Sequence, residues 1–359
     1  MKLRVHNSSR GMALIMAMIA IFVLSALAAG LALSMKVETR LAQNADSEQQ
    51  LLWLGRSGVE LARYVLSQQL TIPNEPYDSL NQIWAGGPGS LASSNSPLCG
   101  LSLDHYPVGD GTVTVKIIDL DRKLNINAAT PDVIRQVLTL MGADANDISV
   151  VADSITDWID PDDNALPAGA ESDYYQGRPL PYYAKNAPID DMSELLLVKG
   201  VTREMYEGSN ATNHVPSAFE HKLGFGHAPG QSPEYPFGLK DIFTPFSSGR
   251  VNINTADINV LQVLLGGDNT MAEAIIKARA GPDGVDGTDD DTPFRSPGDV
   301  ARIGITGPAA QQLANLGATR SSVFEVHVTA QIGDYHREYV AILFRNTGTD
   351  IQVVSFYWQ

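Results

Sequence analysis

Residues 2–35 read KLRVHNSSRGMALIMAMIAIFVLSALAAGLALSM: a short basic leader, one glycine, then an apolar run. Met12 to Met35 is 24 residues without a charge, ended by Lys36. That is enough helix to cross the ~30 Å hydrocarbon core of a bilayer. It is too long for a removable secretory signal, whose apolar region is shorter and closes on a small-residue cleavage site. The pattern also runs on without a break into KVETRLAQNADSEQQLLWLGRSGVELARYVLSQQL (36–70). Apolar residues at Leu51, Leu52, Leu54, Val59, Leu61, Ala62, Val65 and Leu66 make a helical stripe. One helix of about 55–60 residues is therefore expected, ending before Pro73, with Gly55 and Gly58 as its weak points.

Composition narrows the class. The chain has 359 residues and a formal net charge of −16, which suits a soluble surface and repels nucleic acid phosphates and anionic lipid. With Cys99 as its one cysteine, it can form no intrachain disulfide. Rigidity outside the cytoplasm must then come from packing or metal.

After Pro73 a Gly/Ser/Pro-rich loop leads to GTVTVKIIDLD (111–121), which alternates with strand periodicity. SVFEVHVTAQIGDYHREYVAILFRNTGTDIQVVSFYWQ (322–359) gives three more strands, joined by tight turns at Gly333-Asp334 and at Asn346–Asp350. The stretch between, 121–319, has little strand character. The economical fold is α+β: a small antiparallel sheet packed on the long helix, with a large all-α domain inserted between its strands.

The insert repeats itself. KLNINAATPDVIRQVLTLMG (123–142) matches RVNINTADINVLQVLLGG (250–267), with the N-I-N segments at 124–129 and 251–256. Thr130, followed by Pro131, and Asp257 each read as a helix N-cap. Each repeat is followed by a helix–turn–helix candidate hinged on glycine, at 191–207 and 296–316. These units resemble helix–hairpin–helix, or SAM-like, modules.

The dense chemistry is carboxylate. Residues 121–319 carry −14 of the chain's −16. One cluster is Asp157, Asp160, Asp162, Asp163, Glu171 and Asp173; the other is Asp283, Asp286, Asp289, Asp290 and Asp291. Acids this close repel unless water or a cation separates them, and calcium accepts about 6–8 oxygens at loose geometry. Solvated acidic loops are the alternative. The histidines beyond the leader (His105, His214, His221, His227, His327, His336) are scattered, without H-E-x-x-H, and no G-x-S-x-G is present, so no enzyme is expected. Helix–hairpin–helix modules can grip DNA, but the hairpins here offer only Lys199, Arg203 and Arg302 in an acidic domain, so nucleic acid is not an expected partner.

The amino terminus resembles a prepilin-type leader, in which a basic stretch ends in glycine directly before the apolar helix. Lys2, Arg4 and Arg10 hold it on the cytoplasmic side. The resemblance implies cleavage between Gly11 and Met12 by prepilin peptidase and N-methylation of Met12. Pilin-like proteins usually place glutamate fifth in the mature chain, paired with a neighbour's terminal amine, and that residue here is Met16. A subunit without this acid suits a filament tip.

With the run D-W-x-D-x-D-D (157–163), E-x-D-Y-Y (171–175), S-E-L (193–195) and G-V-T (200–202), nearly the whole chain resembles the minor pseudopilin K (GspK) family of type II secretion. That resemblance implies a leader at 1–11, a transmembrane helix at 12–35, a discontinuous pseudopilin-like domain at 36–120 and 320–359, and the inserted domain at 121–319. It implies a single pass through a Gram-negative inner membrane with the globular part in the periplasm. It also implies calcium in the inserted domain, matching the first acid cluster; the second stands outside the family pattern. Expected partners are the I- and J-type minor pseudopilins, met through the stripe from about Leu51 to Leu66. A minor subunit of a type IV-like pilus shares this logic, and a membrane-anchored nucleic-acid-binding protein is the remote alternative.

Overall fold

A computed structural model describes residues 10–89, 95–208 and 235–359. The leader residues 1–9 and the histidines at 214, 221 and 227 lie outside the described residues. Helix α1, Arg10–Gln69, is continuous over 60 residues and stops ahead of Pro73. Among the described residues it is the one helix long and apolar enough to cross a membrane. Its apolar side chains from Met12 to Leu41 are exposed, whereas Leu51, Leu54, Val59, Ala62, Val65 and Leu66 are buried.

That buried face lies on a five-stranded antiparallel sheet of β1 (Tyr106–Val108), β2 (Gly111–Asp119), β7 (Val323–Ile332), β8 (Tyr335–Arg345) and β9 (Ile351–Trp358), in the order 1-2-7-8-9. Val113, Val115, Ile117, Phe324, Val326 and Val328 meet the helix in one core. Each fully buried aliphatic or aromatic side chain contributes about 1.5–3 kcal/mol. Gly55 and Gly58 do not interrupt the rod. They lie against the side chains of Tyr339 and Val328, where any Cβ would collide. The helix propensity they forfeit is exchanged for close approach to the sheet. The stripe expected to meet partner subunits is thus consumed by the chain's own sheet, leaving Trp53 and Tyr64 outward.

Between β2 and β7 the chain builds a second core, from Ile126 to Leu313. It consists of two similar units. The first runs β3 (Leu124–Asn125), α2 (Pro131–Met141), α3 (Ala145–Ile159), an acidic loop containing α4 (Ser172–Gln176), a 3-10 turn (Met192–Leu197) and α5 (Arg203–Glu207); it closes with α6 (Leu239–Ile242) and β4 (Phe243–Thr244). The second runs β5 (Val251–Asn252), α7 (Ile258–Leu264), α8 (Asn269–Arg279), an acidic loop, a 3-10 turn (Pro297–Ile303), α9 (Gly307–Leu316) and β6 (Gly317–Ala318). In each, the first strand pairs in parallel with the last, β3 with β4 and β5 with β6. The insert therefore holds two short parallel ladders that the sequence pattern hid, because two residues are too few to show a period.

The asparagines explain the repeat. The first Asn of each motif folds the chain locally: Asn125 Oδ1 accepts from Asn127 N–H (2.9 Å), and Asn252 Oδ1 from Asn254 N–H (3.0 Å). The second Asn imitates a peptide. Asn127 donates to Ile189 O (2.9 Å) and accepts from Ile189 N–H (2.7 Å); Asn254 does the same with Phe294 (2.9 and 2.8 Å). Ile189 and Phe294 each stand just ahead of a 3-10 turn. Thr130 and Asp257 cap α2 and α7 as expected, accepting from Val133 and Asn259 N–H. The hinges expected at Gly200 and Gly304 are left-handed, with φ of 84° and 87°. The first arm of each hairpin is 3-10 rather than α, a form favoured where only a turn or two lies between caps.

A buried polar seam joins the second unit to the sheet. Asp119 Oδ2 accepts from Ser321 Oγ (2.6 Å), Thr255 Oγ1 (2.5 Å) and Asn252 Nδ2 (3.2 Å). Asp121 accepts from the N–H groups of Ser248 and Ser322, both at 2.6 Å. Asp78 pairs with Arg345, which is itself buried and stacked on Phe324. Burial, with Asp121 and Asp78 nearby, pushes the Asp119 carboxyl up to about 7 against the pull of the Ser321 and Thr255 hydroxyls.

Candidate functional site

The acidic loop of the first unit leaves the end of α3. Asp157, in the last turn of α3, is buried and accepts from Leu166 N–H (3.2 Å). Pro161 and Pro167 keep the loop from continuing the helix, and Gly169 packs so close to Asp157 that a Cβ there would strike its carboxylate. The loop then returns to Glu171, the residue that precedes α4.

This path brings together Asp160, Asp162 and Glu171, with one carboxylate oxygen of each within 4.8 Å of the others. Glu171 is 5% exposed, and neither of its oxygens has a hydrogen-bond partner; Asp160 Oδ1 is likewise buried and unpartnered. A buried carboxylate without donors carries the full desolvation penalty of its charge. Burial, then the charges of Asp157 and Asp160, push Glu171 up to about 7. Asp160 and Asp157 are raised as well, first by burial. Such an arrangement is stabilised by a proton or by a cation. Three converging carboxylates with free lone pairs are the donor set of a hard divalent ion.

The remaining members of the expected set take other parts. Asp162 Oδ1 also accepts from the N–H and side-chain amide of Asn164, and Asp163 accepts from Asn186 Nδ2 (3.0 Å). Asp173 is exposed in the first turn of α4 and does not join the cluster. The sequence reading did not place Asp153, Asn186 or Lys199 at this loop. Asp153 is held by Arg135 (2.8 Å) and accepts from Ala168 N–H; Lys199 donates to Ala168 O and Gly169 O. Only Asn186 carried a local signal, as a residue type tolerant of the left-handed conformation it adopts (φ 47°).

The second acidic loop is built differently. Among the described residues, no three of its acid oxygens converge in the way those of the first loop do. Asp286 is paired with the buried guanidinium of Arg279 (2.6 Å), which also donates to Ile253 O and Ala256 O. Asp283 accepts from Val285 N–H, Asp290 from Thr288 Oγ1 and Asp283 N–H, and Asp291 from Gly287 N–H. Asp289 is exposed.

With this geometry the chain can be set beside known proteins. Residues 115–209 match the family model for type II secretion system (T2SS) protein K. The type II secretion system protein K of Pseudomonas aeruginosa is 25% identical over 366 residues, spanning 98% of this chain and 93% of its own. Over nearly its whole length the chain is therefore similar to type II secretion system protein K. A putative protein K of Escherichia coli K12 is 26% identical over 216 residues, 56% of this chain and 61% of its own. In fold, the chain is similar to a chain in the crystal structure of the GspK-GspI-GspJ complex from the enterotoxigenic Escherichia coli type 2 secretion system. The TM-score is 0.59 at 19% identity, covering 89% of this chain and 99% of that one. These similarities support a minor pseudopilin role in secretion.

Proposed function

We propose that this chain caps the tip of a periplasmic pseudopilus, anchored in the inner membrane by Met12–Met35 and acting with I- and J-type minor pseudopilins. The observation that carries the reading is the second core inserted between β2 and β7 of a helix-on-sheet unit. A body that large would obstruct helical stacking of subunits, yet fits at an end. Met16 agrees with it, since a terminal subunit has no neighbour above whose amine needs an acid. The division at about 120 and 320, the SAM-like character of the two units, and cleavage between Gly11 and Met12 with methylation of Met12 belong to the same reading. The chain would assemble and transmit force without making or breaking bonds of a substrate.

Partner helices would meet the outward side of α1, where Val37, Leu41, Trp53 and Tyr64 are exposed. A groove lined by Gln50, Trp53, Ser57, Val108 and Ile332 runs beside it. Co-expression in detergent should yield a stable complex of this chain with the other two minor pseudopilins, weakened by Trp53→Ala. A chain that purifies alone from such a mixture would overturn the tip role.

The cation proposed for Asp160, Asp162 and Glu171 is calcium, supported by irregular loop geometry and carboxylate donors. Differential scanning calorimetry of the full chain should show a higher Tm with calcium than with chelator. Coincident transitions would remove calcium from the reading.

A further inference from the structure

Two side chains from outside the acidic loop hold it open at either side of its centre. Asn186 Nδ2 donates to Asp162 O (2.9 Å) and to Asp163 Oδ1 (3.0 Å). It does so from a left-handed backbone, at φ 47°. Lys199 Nζ donates to Gly169 O (2.8 Å) and Ala168 O (3.1 Å), and stands 5.1 Å from the ring centre of Tyr174. Neither group hydrogen-bonds to Asp160 or Glu171. This choice is unusual for an ammonium beside many carboxylates, because a charge-assisted bond to an acid is about twice as strong as one to a neutral acceptor. The result is a loop fixed at Asp162 and at Ala168–Gly169, with the unpartnered acids Asp160 and Glu171 just outside those two points.

We propose that Asn186 and Lys199 are positioning residues that shape the cation site before the ion arrives, Asn186 setting where Asp162 stands relative to Asp160 and Glu171. The inference rests on the calcium reading above. It follows from the general cost of ordering: a loop already held in its bound form loses little conformational freedom when the ion binds. Without the Asn186 clamp, the segment carrying Asp162 must be ordered by the ion itself. Outer partners of this kind change metal affinity by roughly 10–100-fold when removed.

The test is calcium titration by calorimetry on the detergent-solubilised full chain, comparing wild type with Asn186→Ala, Asn186→Gly and Lys199→Met. Melting curves in chelator give a second readout. Asn186→Ala and Asn186→Gly should both bind calcium about 10–100-fold more weakly, while their chelator melting curves stay close to wild type. Lys199→Met should weaken binding in the same direction. Glycine keeps the left-handed backbone and loses the amide, so normal affinity in Asn186→Gly would overturn the role given to the side chain. A loss of stability in chelator as large as that in calcium would mark a merely structural residue and also overturn it. A wild-type chain that takes up no calcium would overturn the calcium reading itself, a result distinguishable from either.

Discussion

The two acidic loops of the insert occupy the same place, between the second helix and the 3-10 turn of each unit, yet they balance their charge by opposite means. In the second loop a guanidinium from the last turn of α8, Arg279, lies inside the fold and takes Asp286 together with two backbone carbonyls. In the first, the last turn of α3 supplies the buried acid Asp157, and Glu171 is left without a donor. One loop is neutralised by a buried guanidinium; the other keeps a buried carboxylate with no donor. Similar topology therefore does not imply similar chemistry, and counting acids in sequence could not separate the two.

The largest expected effect comes from breaking the internal pair. Arg279→Ala should cost up to about 3 kcal/mol, because it strips a partly buried acid and two carbonyls of their donor. Urea denaturation with and without calcium should show the same loss, if the second loop owes nothing to the ion. Second, Asp119 ties only the second unit to the sheet. Its folded value of about 7 lies above the ordinary 3.8, so the folded chain keeps a proton that the unfolded chain releases. Stability should then fall as pH rises from about 4 to about 7, by at most about 1.4 kcal/mol per pH unit from this group, and level off above. Asp119→Asn should flatten that slope in melting curves recorded across pH.

Glu171→Gln should act in the opposite sense to Arg279→Ala. It removes an uncompensated buried charge, so the melting point in chelator should rise, on the order of 1 kcal/mol or about 2–4 °C for a unit of this size. It should also lose the response to calcium. Last and smallest, the caps compare the units where they are alike. Thr130→Ala and Asp257→Ala should each cost about 1 kcal/mol by chemical denaturation. A marked inequality between them would argue against equivalent units.

Much of this architecture was legible in the sequence because it is local. The apolar run, the strand alternation, the turn at Gly333-Asp334 and the caps at Thr130 and Asp257 are fixed by neighbours a few residues away. The N-I-N repeat was visible, but its purpose was not, since Asn127 and Asn254 act on Ile189 and Phe294, 62 and 40 residues distant in the chain. The same limit hid Arg279, Asn186 and the Asp119 seam, whose partners meet only after folding. The stripe from Leu51 to Leu66 was read correctly as a buried face, but it served the chain's own sheet as well as any partner's helix could have been served. Periodicity says that a face is covered and is silent about what covers it.

The strands that lead into and out of the insert are immediate neighbours, β2 paired with β7 from Thr112↔Gln331 to Asp119↔Phe324. A load on the head therefore pulls on both at once and in the same direction. It cannot unzip that pair from its end. The stress passes sideways as shear, into β8 across ten register pairs and into α1 through its packed face. Ladders of this kind resist shear far better than peeling, because all rungs must yield together. The joint between sheet and insert is therefore strongest along the strand axis.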